Sequence, residues 1–525
     1  MRAGKTHRRA ALRSASALVM AGLAGAAFAD SIPPLSPGPA ASLSNASAQS
    51  PTGAGTVPAD SSSPLNPTPF ALPQLAAPQF RADASPPSKP ASAGPWGVLS
   101  GDWQNPNLLG DMGGLRPALA KYGVTLSILE NAEVFGNLTG GVRQGFEENG
   151  LTTVTVQLDT QKAFGWNGGT FNVSGLHIWG GFLSQSNLLN LQTVTGIEAF
   201  PSVRLWELWY QQKFGDKFDV KIGEQSLDQE FMISPNSAYF LNSLMGWPLI
   251  PTTGLPAGGP DYPLAVLGVR GRAQVNDNVT VLAGIFNGSA IPLNTPNTQL
   301  SNPNGVSFPL NSVFAITELQ FTTPGLGAPA KANDDYKIGA WYANWEFADQ
   351  EYDNMGVPLA SPLTDGIKAK HQGNYSIYGV MDKVIWLPKD QTSRYLSVFV
   401  RPMFTTLQDR NLISFSVNGG FTLHQPLPGR DNDIFGLGFG VGRYSTSAAA
   451  YDRDLQFFEP TVYTPVRSTE TFLEATYQVQ VLPSWQIQPD LQYIINPAGG
   501  IVNPDDPTQR IKNEFVIGLR TNITF

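Results

Sequence analysis

Stretches of roughly ten residues in which apolar and polar side chains alternate one by one recur from about residue 124 to the end of the chain. A period of two gives each segment two chemically different faces, which a helix cannot accommodate. Trp485-Gln486-Ile487-Gln488-Pro489-Asp490-Leu491-Gln492-Tyr493 is the cleanest case. The same parity runs through Leu473, Ala475, Tyr477, Val479 and Val481 against Glu474, Thr476, Gln478 and Gln480. Soluble sandwiches alternate too, so the connections carry the decision. About sixteen strands can be placed between residues 124 and 525, an even number, and the gaps between them alternate between roughly twenty and roughly five residues. Gly215-Asp216, Asn276-Asp277 and Pro483-Ser484 mark tight turns, while 181–201, 228–262, 288–310, 348–372 and 446–467 are long connections. The polar face has no second apolar layer to meet. The expected fold is therefore all-β: a closed transmembrane antiparallel β-barrel of about 16 strands, apolar side chains toward lipid and polar ones toward a wet interior.

Composition removes the competitors. With no cysteine among 525 residues, a thiolate zinc site and a disulfide scaffold are both excluded. No apolar run beyond the N-terminus approaches the roughly 20 residues that a spanning helix needs. A formal charge of -8 argues against a nucleic-acid partner. Residues 1–29 carry Arg2, Lys5, Arg8, Arg9 and Arg13, then a short apolar stretch ending in Ala27-Phe28-Ala29, the pattern of a cleaved signal peptide. Its removal takes five positive charges and leaves -13. Residues 30–96 are a Pro/Ala/Ser-rich spacer, expected to be disordered because such a composition buries too little apolar area to offset chain entropy. The barrel is expected over 97–525. Trp206, Tyr210, Trp341, Trp345, Tyr395 and Tyr493 fall near strand ends and are candidates for interfacial girdles.

Ordered motifs add a resemblance. Gly110-Asp111-Met112-Gly113-Gly114-Leu115-Arg116 precedes Leu119-Ala120-Lys121-Tyr122-Gly123-Val124, and Gly223-Glu224-Gln225 is followed by Asp228, Glu230 and Phe231. Then come Phe240-Leu241-Asn242-Ser243, Gly246-Trp247-Pro248, Gly258-Gly259-Pro260-Asp261-Tyr262-Pro263 and Gly268-Val269-Arg270. Near the end stand Gln488-Pro489-Asp490-Leu491-Gln492-Tyr493-Ile494, Asn496-Pro497 and Gly518-Leu519-Arg520. In this order, over about 102–525, the set resembles the carbohydrate-selective outer-membrane porin family. Two features depart from its pattern: Met112 stands where the family usually has Trp, and the proline-rich spacer is extra. The terminal Ile523-Thr524-Phe525 also resembles the assembly signal of bacterial outer-membrane barrels. The resemblance implies a bacterial outer-membrane barrel of sixteen strands conducting small sugars by diffusion. Its partners would be small sugars and the outer-membrane bilayer, with a homotrimer as the candidate assembly.

The longest connection, 228–262, is expected to fold into the lumen, because long connections without their own secondary structure usually carry function. Sugars present apolar C–H faces and a rim of hydroxyls, so a selective constriction needs aromatic surface and fixed polar groups. Strand parity sends Arg270 and Arg272 inward opposite Val269, since an arginine facing mid-bilayer lipid costs about 2–4 kcal/mol. The same parity points Glu207, Lys213, Asp159 and Arg401 inward, and Trp247 and Glu230 come from the long connection. These eight are the candidate constriction and sugar-binding residues. The competing use of the charges is a structural network that holds the loop down. Gly436, Gly438, Gly440 and Gly442 share one strand face, and we read them as room for a close loop approach. An enzyme is not expected: the chain has neither a G-x-S-x-G elbow nor an H-E-x-x-H motif. His177 is taken as a lumen polar group. No cofactor or metal is called for. The alternatives to a sugar channel are a general or polysaccharide-exporting barrel and, behind them, an outer-membrane hydrolase. A barrel of this kind should need detergent for solubility and migrate differently on a gel before and after boiling. A product that stays dispersed in plain buffer with one fixed mobility would refute it.

Overall fold

A computed structural model describes residues 95–325, 333–389 and 394–525. The signal segment and nearly all of the 30–96 spacer lie outside the described residues. The strands are β1 (Val124–Thr139), β2 (Gly145–Asp159), β3 (Gly169–Gly180), β4 (Ser202–Phe214), β5 (Phe218–Gln225), β6 (Val266–Gln274), β7 (Val279–Asn287), β8 (Val313–Pro324) and β9 (Asn333–Asp353). They continue with β10 (Lys368–Trp386), β11 (Tyr395–Phe404), β12 (Ile413–His424), β13 (Ile434–Tyr444), β14 (Thr469–Leu482), β15 (Trp485–Ile495), β16 (Val502–Asn503), β17 (Asp506–Arg510) and β18 (Glu514–Thr524). Sixteen of them form one closed antiparallel barrel, each paired with its neighbours along the chain. Among the described residues only β16 and β17 stand apart, as a ribbon within the last long connection. Closure comes from β1 on β18, running from Leu129 opposite Thr524 to Phe135 opposite Gly518, so no strand edge is left for lipid to meet.

The period-two pattern explains the wall. On β13, Leu437 is exposed on the outside while Gly436, Gly438, Gly440 and Gly442 face inward. On β6, Val269 is exposed and Arg270 is buried. One end of the barrel holds the short turns, and there Leu108 N donates to Thr524 O at 2.7 Å to fasten the entry segment against the last strand. In that segment Gly113 has φ +67 and lies under Trp96, where a Cβ would stand 2.9 Å from the indole.

The structure corrects several expectations. The connection after β1 is a short turn at 140–144, because β1 and β2 run on through Phe135 and Phe146, against the alternation that would make it a long one. The segment 160–163 leaves the sheet for a short helix, Thr160–Phe164. Trp206 is no girdle residue. The register slips between Ser174 and Gly175 opposite β4, so Trp206 is the extra residue of a bulge and is buried with Leu176, Ile197 and Tyr262. Trp341 is likewise inside, stacked on Phe314 with centroids 5.6 Å apart. The inner face is therefore not uniformly polar: Phe286, Phe314, Phe399 and Phe472 form one apolar cluster with Phe231, Phe240, Met245 and Trp247 from the connection between β5 and β6.

The inward glycines of β13 are where that connection comes closest. A Cβ on Gly438 would stand 2.6 Å from Met245 Cε and 2.7 Å from Phe240 Cε1, and one on Gly436 2.8 Å from Phe240 Cζ. The close-approach reading of the four glycines holds for these two and for Gly442, which meets Leu249, while Gly440 is covered by Phe472 of the next strand. Gly438→Val should therefore cost about 1–3 kcal/mol through overpacking. The expected readout is a lower temperature for loss of the compact gel form, with Leu437→Val on the outer face as a nearly neutral control.

Candidate functional site

From Phe231 to Pro260 the chain carries no charge, yet its backbone must find partners wherever it is buried. The strands provide them. Glu207 on β4 accepts from Ser226 N at 3.1 Å, and Glu318 on β8 accepts from Met232 N at 2.8 Å. Asp382 on β10 accepts from Ser234 Oγ, Asn236 N and Asn236 Nδ2 at 2.7, 3.2 and 2.8 Å. Glu474 on β14 accepts from Leu241 N and Asn242 N at 2.5 and 3.3 Å. Donors answer the carbonyls: Lys337 Nζ reaches Ile233 O at 2.7 Å, Asn418 Nδ2 reaches Leu244 O at 2.7 Å, and the two terminal nitrogens of Arg401 reach Met245 O and Gly246 O. The connection is thus bound to strands on both sides of the barrel.

Beside this lies an ion network on β4, β5 and β6. The register sets Arg272 opposite Asp219 and Arg270 opposite Lys221. Arg270 Nη1 pairs with Asp219 Oδ1, its Nη2 donates to Glu230 Oε1 at 2.9 Å, and its Nε stands 2.6 Å from Glu230 Oε2. Lys221 Nζ also pairs with Glu230 and sits 4.3 Å over the Trp209 ring. Trp209 Nε1 donates to Glu207 Oε2 at 3.2 Å, and Gln211 Nε2 to Asp219 Oδ1 at 3.1 Å. Glu230 lies in the connection rather than in a strand. Burial alone would raise its pKa, but Lys221 and Arg270 outweigh that and bring it down to about 2. Its pairing is therefore complete above the ordinary carboxylate range and is lost only as pH falls toward 2.

The eight predicted residues thus separate. Arg270, Glu230 and Glu207 meet in one buried cluster, with side chains of Arg270 and Glu230 only 3% and 15% exposed. Arg401 is buried elsewhere on the wall, clamping the loop. Trp247 is buried at 1% exposure within the apolar cluster. Asp159 sits at a strand end, where its carboxylate caps the helix Thr160–Phe164 by accepting from Gln161 N and Lys162 N. Lys213 is exposed near the tight turn at Gly215. Arg272 is the member that joins both worlds: it stands 3.6 Å from Asp219, and its side chain is 40% exposed. Asp219, Lys221 and Trp209 were missed. The alternation of Phe218-Asp219-Val220-Lys221-Ile222 carried the signal for the first two. His177 is exposed on β3 between the buried Leu176 and Ile178, so it faces away from the interior, contrary to expectation.

Removing an anchor leaves buried N–H groups unpaired, which costs about 1–3 kcal/mol each. Asp382→Ala should destabilise the barrel by more than Asp382→Asn, which keeps one acceptor oxygen for Ser234. Thermal loss of the folded gel band across the two variants measures the difference.

Known proteins match this chain over most of its length. Porin B of Pseudomonas aeruginosa is 24% identical over 446 residues, covering 80% of this chain and 91% of that protein. The high-pH structure of Pseudomonas putida OprB superposes with a TM-score of 0.70 at 21% identity, covering 80% of this chain and 99% of that one, and so has the same fold. The model of the carbohydrate-selective porin, OprB family, matches residues 143–525. Porins are channels rather than enzymes, and the hydrolase reading falls. A sixteen-stranded barrel with an ordered apolar-out wall, matched by that family's model over residues 143–525, belongs to the OprB family of carbohydrate-selective porins.

Proposed function

We propose that the chain is a bacterial outer-membrane porin through which small sugars diffuse passively, selected at a constriction set by the connection between β5 and β6. In this reading the connection folds into the bore. Support comes from its hydrogen bonds to strands as far apart as β4 and β14, and from its uncharged sequence, whose buried backbone is satisfied by wall side chains. The carrying observation is Arg272. The buried network of Asp219, Arg270, Glu230 and Lys221 holds this arginine in place from one side while 40% of its side chain stays open. A planar guanidinium with free donors suits vicinal hydroxyls. Residues buried in the network, Glu207, Glu230 and Arg270 among them, shape the constriction by holding its wall. Trp247 and Arg401 do so by holding the loop. Asp159 and Lys213 belong to the periplasmic mouth, where a charge would act on a passing solute through its field. The signal peptide at 1–29 and the spacer at 30–96 complete the proposed layout: export, then a tether ahead of the barrel.

Loss of a hydrogen bond to a charged group is worth about 1.5–3 kcal/mol. Arg272→Ala should accordingly weaken sugar block of the single-channel current about tenfold and raise ion conductance. Arg270→Ala should raise conductance by loosening the loop. Deleting 232–256 should let larger neutral sugars enter in liposome swelling. Unchanged sugar block in Arg272→Ala together with unchanged size exclusion in the deletion would overturn the proposal.

A further inference from the structure

A bore that selects sugars needs ring surface as well as donors, and Trp247 cannot supply it because it is buried in the apolar cluster. The inner wall offers another. On β11, Ser397, Phe399 and Arg401 are buried toward the interior, so Tyr395 points the same way, rather than into the girdle expected from its place near a strand end. On β12, Thr422 is buried and its Oγ1 donates to Asn236 Oδ1 of the long connection at 2.7 Å, so His424 also faces inward. The register sets Tyr395 opposite His424, and the two rings stack with centroids 4.0 Å apart and planes 14° from parallel. Tyr239 of the connection completes the group, edge to face with His424 at 5.4 Å and 82°. Its carbonyl accepts from Gln488 Nε2 at 2.8 Å.

Rings packed only for stability should have their polar atoms spent. These do not. His424 Nε2 is buried without a partner, and the hydroxyls of Tyr239 and Tyr395 meet no donor or acceptor among the described residues. Both tyrosines are only half-buried, so ring surface stays open. Along the same inward row His424 is followed by Ile434 and then Gln478, whose amide is equally unengaged among the described residues. The result is a strip of aromatic and aliphatic surface edged by neutral hydrogen-bonding groups. A pyranose has the matching chemistry, an apolar C–H face and a rim of hydroxyls. Depth agrees as well. β6 and β12 run in the same direction, His424 is the last residue of β12, and Arg272 stands just before the end of β6 at Gln274. The strip therefore lies near the level of Arg272, about a third of the way round the ring.

We infer that Tyr395, Tyr239 and His424 form a stacking subsite for the C–H face of a neutral pyranose, with the two phenols and Gln478 answering its hydroxyls. The inference rests on the reading of the chain as a sugar channel and adds the ring surface that Arg272 lacks. Stacking makes selection depend on the shape of the solute and not only on its hydroxyls. A cyclic sugar gains the ring contact; an open-chain polyol of nearly the same size does not.

Block of single-channel current by glucose and by sorbitol, measured on the full chain, separates the two contributions. Tyr395→Leu should weaken glucose block about fivefold, the size of one ring contact, and leave sorbitol block as in the wild type. Tyr395→Phe keeps the ring and should recover most of the glucose block. Tyr239→Leu repeats the test should Tyr395→Leu yield no heat-modifiable gel band. Leu396→Val, on the outer face, should change neither solute's block. Equal losses for glucose and sorbitol in Tyr395→Leu would point to a displaced loop and overturn the subsite. Unchanged glucose block in both leucine variants would do so too. If Arg272→Ala still weakens glucose block in that case, the channel reading stands and the subsite alone falls. A wild-type channel that glucose does not block at all would remove both.

Discussion

A buried peptide group must be hydrogen-bonded wherever it lies, and this barrel meets that demand in two different ways. In the wall the strands satisfy one another and closure through β1 and β18 removes the edge. The long connection between β5 and β6 has neither a sheet nor, apart from one- or two-turn helices, a helix to do this for it. It borrows wall side chains instead, carboxylates for its N–H groups and an arginine, a lysine and an asparagine for its carbonyls. Its lack of charge follows from the same logic. A charged residue at Leu244 or Ile250 would be sealed in the apolar cluster with nothing to pair it.

That arrangement divides the charges of the inner wall into two classes. Glu318, Asp382, Glu474 and Arg401 are nearly inaccessible because they are engaged by backbone. Arg270, Glu230, Asp219 and Lys221 are engaged by one another. A solute therefore meets few of the charges that parity sends inward. Counting inward charges overstates the field in the bore, since within the network on β5 and β6 only the Arg272 side chain stays substantially exposed.

How much of this was legible follows from range of interaction. Strand identity depends on neighbours two residues apart, and β14 and β15 could be read directly from alternation. Parity also placed Arg270 and Arg401. It failed at Trp206, where a bulge inserts one residue into β4 and moves the indole from the predicted outer side to the inside. It was not applied to His177, whose neighbours Leu176 and Ile178 look like a lipid-facing pair but pack inside against Ile197 and Tyr262 from two connections. The partners of the long connection were illegible for a deeper reason. Asp382 and Asn236 are 146 residues apart, and an aperiodic segment carries no local signal of the wall it will touch. The four glycines of β13 were the exception, since a face without side chains says that something else fills the space, though not what.

The two faces of the wall obey one rule under different solvents. Inside, a carboxylate such as Glu474 is tolerated in a nearly sealed position because two peptide N–H groups point at it. Outside, the lipid supplies no donors, so the apolar outward positions of β7 to β15 are what an unpartnered surface requires. Glu130 on β1 is met within its own sheet by the Thr152 hydroxyl and the Trp179 indole. The same requirement, that a polar group in a dry setting be met by the chain itself, therefore shapes both faces of the wall.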